Sequence, residues 1–143
     1  MKDLFLVGMG GLVGAISRFV AGRCLTTICP LPGHIATLLV NAAGSFVLGL
    51  VIAKAAGSAH LARWQVFLTA GFCGSFTTFS SWILDISYLA EQASLRAAAG
   101  HAFLGLLVGV AALALGTSLG RYQALALRLE DVVQALHILR PVR

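Results

Sequence analysis

The chain has 143 residues, of which 59% are apolar and only 10% are Asp, Glu, Lys or Arg, and its mean hydropathy is +0.93. A soluble domain carries about 25% charged residues, and a chain this short has too little interior to hide so much apolar surface from water. This is an integral membrane composition, and it excludes a soluble enzyme, a secreted module and a disordered tail. The net charge of +5 sits on sparse basic residues separated by apolar runs, so anionic lipid head groups are the expected contact and nucleic acid is not.

Stretches free of Asp, Glu, Lys and Arg cover Leu4–Ser17, Cys24–Ala53, Trp64–Leu84 and Ala97–Gly120. About 20 helical residues cross a bilayer. The first stretch therefore continues through Arg18, and the second must contain a loop, which Cys29-Pro30-Leu31-Pro32-Gly33 supplies. Four transmembrane helices are predicted, over about 4–25, 34–56, 62–90 and 97–120, forming one membrane domain of residues 1–120. Met1-Lys2-Asp3 opens the first span and not a signal peptide, since no A-x-A cleavage site precedes a polar mature domain. Arg18, near one end of span 1, is structural there: it can snorkel or meet loop carbonyls.

Small residues recur at four-residue spacing: Gly10 with Gly14, Ser45 with Gly49, Gly105 with Gly109, and Gly116 with Gly120. Such pairs let helix backbones approach closely in lipid. Cys24, Cys29 and Cys73 are odd in number and lack metal-ligand spacing, so they read as small apolar filler. Beyond Gly120, Leu125, Leu129, Val132, Val133, Leu136 and Leu139 recur at helical spacing, with Arg128, Glu130, Asp131 and Gln134 between them. Residues 121–143 are therefore expected to form an amphipathic, interfacial tail. If both ends and the 2–3 loop share a side, that side holds Lys2, Lys54, Arg63, Arg121, Arg128, Arg140 and Arg143, against Arg18, Arg23 and Arg96 on the other. The bias favours cytoplasmic termini. It shrinks to four against three without the three tail arginines, so insertion both ways up stays open.

Nothing points to an enzyme: the sequence has no Ser/His/Asp arrangement, no His/Cys metal cluster and no glycine-rich phosphate loop. Spans 1, 2 and 4 carry no acid at mid-membrane, and span 3 carries only Asp85, toward its end. That disfavours a small proton-coupled multidrug exporter, which needs an embedded carboxylate. What remains is polar and uncharged. Thr37, Asn41 and Ser45 fall one above another on a face of span 2. An amide in hydrocarbon needs a partner, so Asn41 is either interhelical glue or a donor to an anion in a pore. In span 3, Gly71-Phe72-Cys73-Gly74-Ser75-Phe76-Thr77-Thr78-Phe79-Ser80-Ser81-Trp82 packs two glycines and five hydroxyls into twelve residues. This is either a kinked helix or a broken span of the kind transporters and channels use. Phe76, Phe79 and Trp82 either pack a core or offer positive ring edges to an anion.

Three segments in order resemble the CrcB/Fluc fluoride channels: Gly10 to Phe19 in span 1, Ala36 to Phe46 in span 2 and Gly71 to Trp82 in span 3. The resemblance extends over about residues 4–120. It implies an all-α membrane protein of four transmembrane helices, with span 3 broken at mid-membrane. It also implies an antiparallel, dual-topology homodimer in the inner (plasma) membrane, with two fluoride pores and a structural Na+ at the dimer centre. The motif places the Na+-binding backbone carbonyls at Gly74 and Thr77. It places Asn41, Phe79 and Trp82 in the pore, where Thr78 and Ser81 add donors to the fluoride ion. The chain departs from the family in reading Trp82 where phenylalanine is usual and Ser75 where glycine is usual. Span 4 also lacks mid-span hydroxyls, for Leu104 to Leu115 holds only Gly, Ala, Val and Leu. The expected function is passive, fluoride-selective export. The alternatives are a silent or half-active subunit of a heterodimer and, behind it, the small multidrug exporter.

Overall fold

The computed structural model describes residues 1–56 and 58–138, and its described elements are all helices. They are α1 (Lys2–Thr27), α2 (Gly33–Ala55), α3 (Ala59–Val66), a π-helical stretch Phe67–Cys73, the single turn α4 (Gly74–Phe76), α5 (Phe79–Gln92) and α6 (Leu95–Ile138). Among the described residues, four helical stretches are long and apolar enough to cross a membrane: Lys2–Thr27, Gly33–Ala55, His60–Gln92 and Leu95–Ala126. Pro30 and Pro32 end the first helix and open the second, with Pro32 as the residue before α2, because proline fits a helix start and not its interior. Ser58 caps α3 by accepting the Leu61 amide at 3.3 Å.

The packing inverts that of a soluble protein. Buried positions are mostly small, including Ala36, Ala53, Ala55, Cys73 and Ala98, whereas Leu4, Phe5, Phe19, Phe103 and Leu106 are exposed. In lipid, large side chains gain little by leaving the acyl chains, so helices associate where small residues let backbones touch. The α2–α6 pair is the most extensive, and it meets at Gly49 and Gly116: a Cβ at Gly49 would lie 2.8 Å from Thr117 Oγ1, and one at Gly116 would lie 3.0 Å from the Leu50 amide nitrogen. The second close seam joins α1 to the π-helical stretch, with Gly10 and Gly14 against the backbones of Phe67 and Phe72.

α6 does not stop at Gly120. It runs on as one helix of 44 residues, about 66 Å at 1.5 Å per residue, roughly twice the ~30 Å hydrocarbon thickness. In the expected apolar stripe of the tail, Leu125 and Leu129 are exposed. The side chains of Val132, Val133 and Leu136, and all of Leu139, lie outside the described residues.

Candidate functional site: the interruption at Thr77–Thr78

The third membrane-length stretch loses its helix after Phe76 and regains it at Phe79. Thr77 (φ −79°, ψ 155°) and Thr78 (φ −143°, ψ 111°) are extended between them, a conformation that β-branched residues favour. Extended backbone within an apolar stretch leaves amides and carbonyls in need of partners.

Side chains supply some of them. Asn41 donates from Nδ2 to the Thr78 carbonyl at 3.0 Å, and its Oδ1 accepts the Thr78 amide at 2.7 Å. The amide of Asn41 thus serves Thr78 as a neighbouring strand would. Gly44 makes the approach feasible, since a Cβ there would strike the Thr77 methyl and lie 3.0 Å from the Phe76 ring. Thr78 in turn caps α5: its Oγ1 accepts the Ser81 amide at 3.2 Å and donates to Ser81 Oγ at 3.0 Å. Thr77 folds back, donating both its amide (3.0 Å) and its hydroxyl (2.9 Å) to the Cys73 carbonyl.

These bonds have a consequence for two carbonyls. In an unbroken helix the Thr78 amide would go to Gly74 and the Ser81 amide to Thr77. Both amides are taken by side chains, Asn41 Oδ1 and Thr78 Oγ1, so the Gly74 and Thr77 carbonyls lose their helical partners. On the other side of the interruption, the first-turn amides of Phe79 and Ser80 have no carbonyl a turn below them in α5.

Two clefts meet at Thr78. One, of about 250 Å³, is lined by Asn41, Ser45, Thr77, Thr78, Phe79, Trp82, Gly105 and Gly109 among others. The Phe79 and Trp82 rings stand 5.5 Å apart at 56°. Phe79 is 71% exposed, while the Trp82 indole nitrogen is buried with no hydrogen-bond partner among the described residues. It packs on Gly105, where a Cβ would lie 2.9 Å from Trp82 Cε2. The other cleft, of about 400 Å³, has Arg18, Arg23 and Thr37 on its walls together with Thr78 and Ser81.

The structure thus brings Asn41, Thr78, Phe79 and Trp82 around one cleft. Ser81 and Arg18 share the basic one, and Gly74 and Thr77 contribute backbone at the interruption itself. Of the span 2 triad, Asn41 and Ser45 share the aromatic cleft. Thr37 lines the basic one, its hydroxyl donated at 3.1 Å to the Gly33 carbonyl of its own helix. Sequence reasoning passed over Gly44 and Gly105. Gly105 appeared only as one of a small-residue pair, and its partner, an indole from another helix, is not adjacent in sequence.

The chain is similar to known proteins over the region that builds this site. The family described as CrcB-like protein, Camphor Resistance (CrcB), matches residues 5–117. The Fluoride-specific ion channel FluC of Chlorobium chlorochromatii is 35% identical over 122 residues, 85% of this chain and 94% of that protein. Its namesake in Agrobacterium fabrum is 34% identical over 122 residues, 85% of this chain and 98% of that protein. FluC 1 of Symbiobacterium thermophilum is 40% identical over 120 residues, 80% of this chain and 94% of that protein. These relatives are named for ion conduction and not for catalysis, and with a match that spans α1 to α6 and includes the clamped interruption, the chain belongs to the CrcB family.

Proposed function

We propose that the chain is a subunit of a fluoride channel that crosses the inner (plasma) membrane several times and lets F⁻ leave the cytoplasm passively. The observation that carries this reading is the Asn41-clamped interruption, which gathers amide, hydroxyl, backbone N–H and aromatic edges around one cleft. The relatives' names supply the ion. Fluoride is small and strongly hydrated, so a narrow path must replace its water with donors. Asn41 spends one Nδ2 hydrogen on Thr78 and keeps the other for an anion. The edges of Phe79 and Trp82 carry partial positive charge, and Thr78 and Ser81 offer hydroxyls. The α5 N-terminus adds the positive end of its dipole. HF crosses lipid as a neutral acid and ionises inside, so a channel suffices wherever the membrane potential drives the anion outward.

The assembly we propose is an antiparallel homodimer, with the interruption at mid-membrane. The exposure of Phe79 supports it, because a single copy leaves the aromatic cleft open on that side. A structural Na+ fits the backbone: the Gly74 and Thr77 carbonyls, stripped of their helical amides, are hard oxygen donors that would hold a hard cation. When bound, Na+ supplies the positive charge these carbonyl dipoles lack. A second reading, one half of a heterodimer, draws on Trp82 filling the space over Gly105 and on the charge bias of the termini.

The test is anion efflux from liposomes holding the purified protein alone. Fluoride efflux far above chloride efflux is expected. Equal passage of both anions overturns the proposal, and fluoride efflux that appears only after co-expression with a second subunit selects the heterodimer.

A further inference from the structure

Away from the interruption, one end of the bundle gathers the start of α1, the end of α2, the start of α3 and the point where α6 passes Gly120. Leu6 of α1 lines a cleft with residues of α3, α3 opens shortly after α2 closes, and a Cβ on Gly120 would lie 2.7 Å from the Ala53 Cβ. Up to Arg121, this end carries Lys2, Lys54, Arg63 and Arg121 against the single acid Asp3. The cleft between α1 and α3 holds about 370 Å³ and is lined by Leu6, His60, Arg63 and Trp64. His60, Arg63 and Trp64 fall at i, i+3 and i+4, on one face of α3. His60 and Arg63 are exposed. Trp64, 47% exposed, meets the Phe67 ring edge-on, with centroids 6.1 Å apart at 90°. Arg63 is the last charge before the charge-free stretch Trp64–Leu84, and Leu6 lies just inside the stretch that opens at Leu4. The cleft therefore straddles the boundary between head groups and hydrocarbon, the level at which tryptophan collects.

We propose that this α1–α3 cleft is a binding site for the phosphodiester head group of an anionic phospholipid, a proposal independent of the channel reading. A basic pocket between membrane helices at head-group depth has the chemistry of such a site. Arg63 presents a planar guanidinium that can meet two phosphate oxygens at once, and His60, one turn earlier on the same face, adds an imidazole N–H. Trp64 supplies an indole N–H toward the polar side and an apolar ring toward the chains. The lower wall selects a lipid over a free phosphate. Leu6 is apolar, and its neighbours Leu4 and Phe5 on α1 are exposed, so an acyl chain descending from the head group finds apolar surface where a soluble anion would lose water for nothing. A zwitterionic head group gains less here, because its ammonium meets the same cations that hold its phosphate.

The chain has two tryptophans, Trp64 and Trp82, so Trp82→Phe leaves Trp64 as the sole reporter, on the wall of the cleft itself. The full-length Trp82→Phe protein is placed in phosphatidylcholine liposomes, and quenching of Trp64 is followed as brominated phosphatidylglycerol or brominated phosphatidylcholine replaces the plain lipid. Phosphatidylglycerol should quench with a relative binding constant about fivefold or more above that of phosphatidylcholine, as one cation near the surface implies. Arg63→Gln should bring that ratio down by about fivefold, while Arg63→Lys keeps most of it. Lys2→Gln removes the same charge from the same end but outside the cleft, and should leave the ratio within about twofold. Equal quenching by the two lipids overturns the site. So does an equal loss in Arg63→Gln and Lys2→Gln, which means that diffuse charge attracts the lipid. Inorganic phosphate added to phosphatidylcholine liposomes should leave Trp64 emission unchanged, and a saturable response to it assigns the cleft to free phosphate and overturns the lipid.

Discussion

Replacing Asn41 by aspartate strikes the clamp and the ion path together. The oxygen that accepts the Thr78 amide at 2.7 Å survives, but the group that donates to the Thr78 carbonyl at 3.0 Å becomes an oxygen facing an oxygen. That leaves one carbonyl unpaired, about 2 kcal/mol of stability, while the Thr78 amide and the α5 cap stay satisfied, so the protein should still fold and purify. The ion loses more. Removing the donor costs about 2 kcal/mol, and a like charge about 4 Å from fluoride adds about 4 kcal/mol at an effective dielectric constant of about 20. At about 1.4 kcal/mol per tenfold, that is roughly four orders of magnitude, beyond the range of a fluoride-electrode efflux assay on liposomes. A protonated acid escapes the charge effect but offers one hydrogen where the amide offered two, which still leaves flux down roughly thirtyfold. Efflux within about threefold of wild type would take Asn41 out of the ion path and leave it as a splint for the interruption.

Thr78→Val keeps the shape and removes the hydroxyl that caps α5, so the Tm of the detergent-solubilised protein should fall by an amount equivalent to about 1 kcal/mol; an unchanged Tm means that Asn41 holds the interruption alone. Gly105→Ala inserts a Cβ 2.9 Å from Trp82 Cε2 and should destabilise by about 1–3 kcal/mol. Trp82→Phe in the same chain should recover most of that, and strictly additive single and double variants in thermal denaturation would refute the contact. Exchanging Na+ for a large organic cation throughout purification should convert dimer to monomer on size exclusion, and a dimer indifferent to the exchange would count against a cation at Gly74 and Thr77.

Hydropathy carries the number and placement of the spans, because in lipid a helix satisfies its own backbone and need only be long and apolar. The interruption is half legible. Two glycines and five hydroxyls mark an unusual segment, and Thr78 followed three residues on by Ser81 has the form of a helix cap. That cap signal appears only when the stretch is read as two helices. Which side chain would close the gap is not legible, since Asn41 acts on backbone 37 positions away and an asparagine facing a side chain would look the same in sequence. At the other end, α6 continues past Gly120 because a single glycine weakens a helix without ending it, and no proline follows until Pro141.

In the proposed channel, the pattern of satisfied and unsatisfied groups accounts for one interruption serving two ions of opposite sign. Breaking a helix frees amides on one side and carbonyls on the other. If water or a strand paired them all, nothing would remain for a ligand. Here Asn41 and Thr78 use their side chains on the Thr78 and Ser81 amides, and each amide so captured releases the carbonyl it would have met, at Gly74 and at Thr77. The amides left over belong to Phe79 and Ser80, at the positive end of α5. Bare oxygens therefore gather before the interruption and N–H groups after it, a cation-seeking side and an anion-seeking side separated by two residues. Thr78 stands at that divide and lines both clefts. On the proposed reading, a fluoride drawn by Arg18 and Arg23 into the basic cleft would meet there the residue that Asn41 holds in place and that also lines the aromatic cleft.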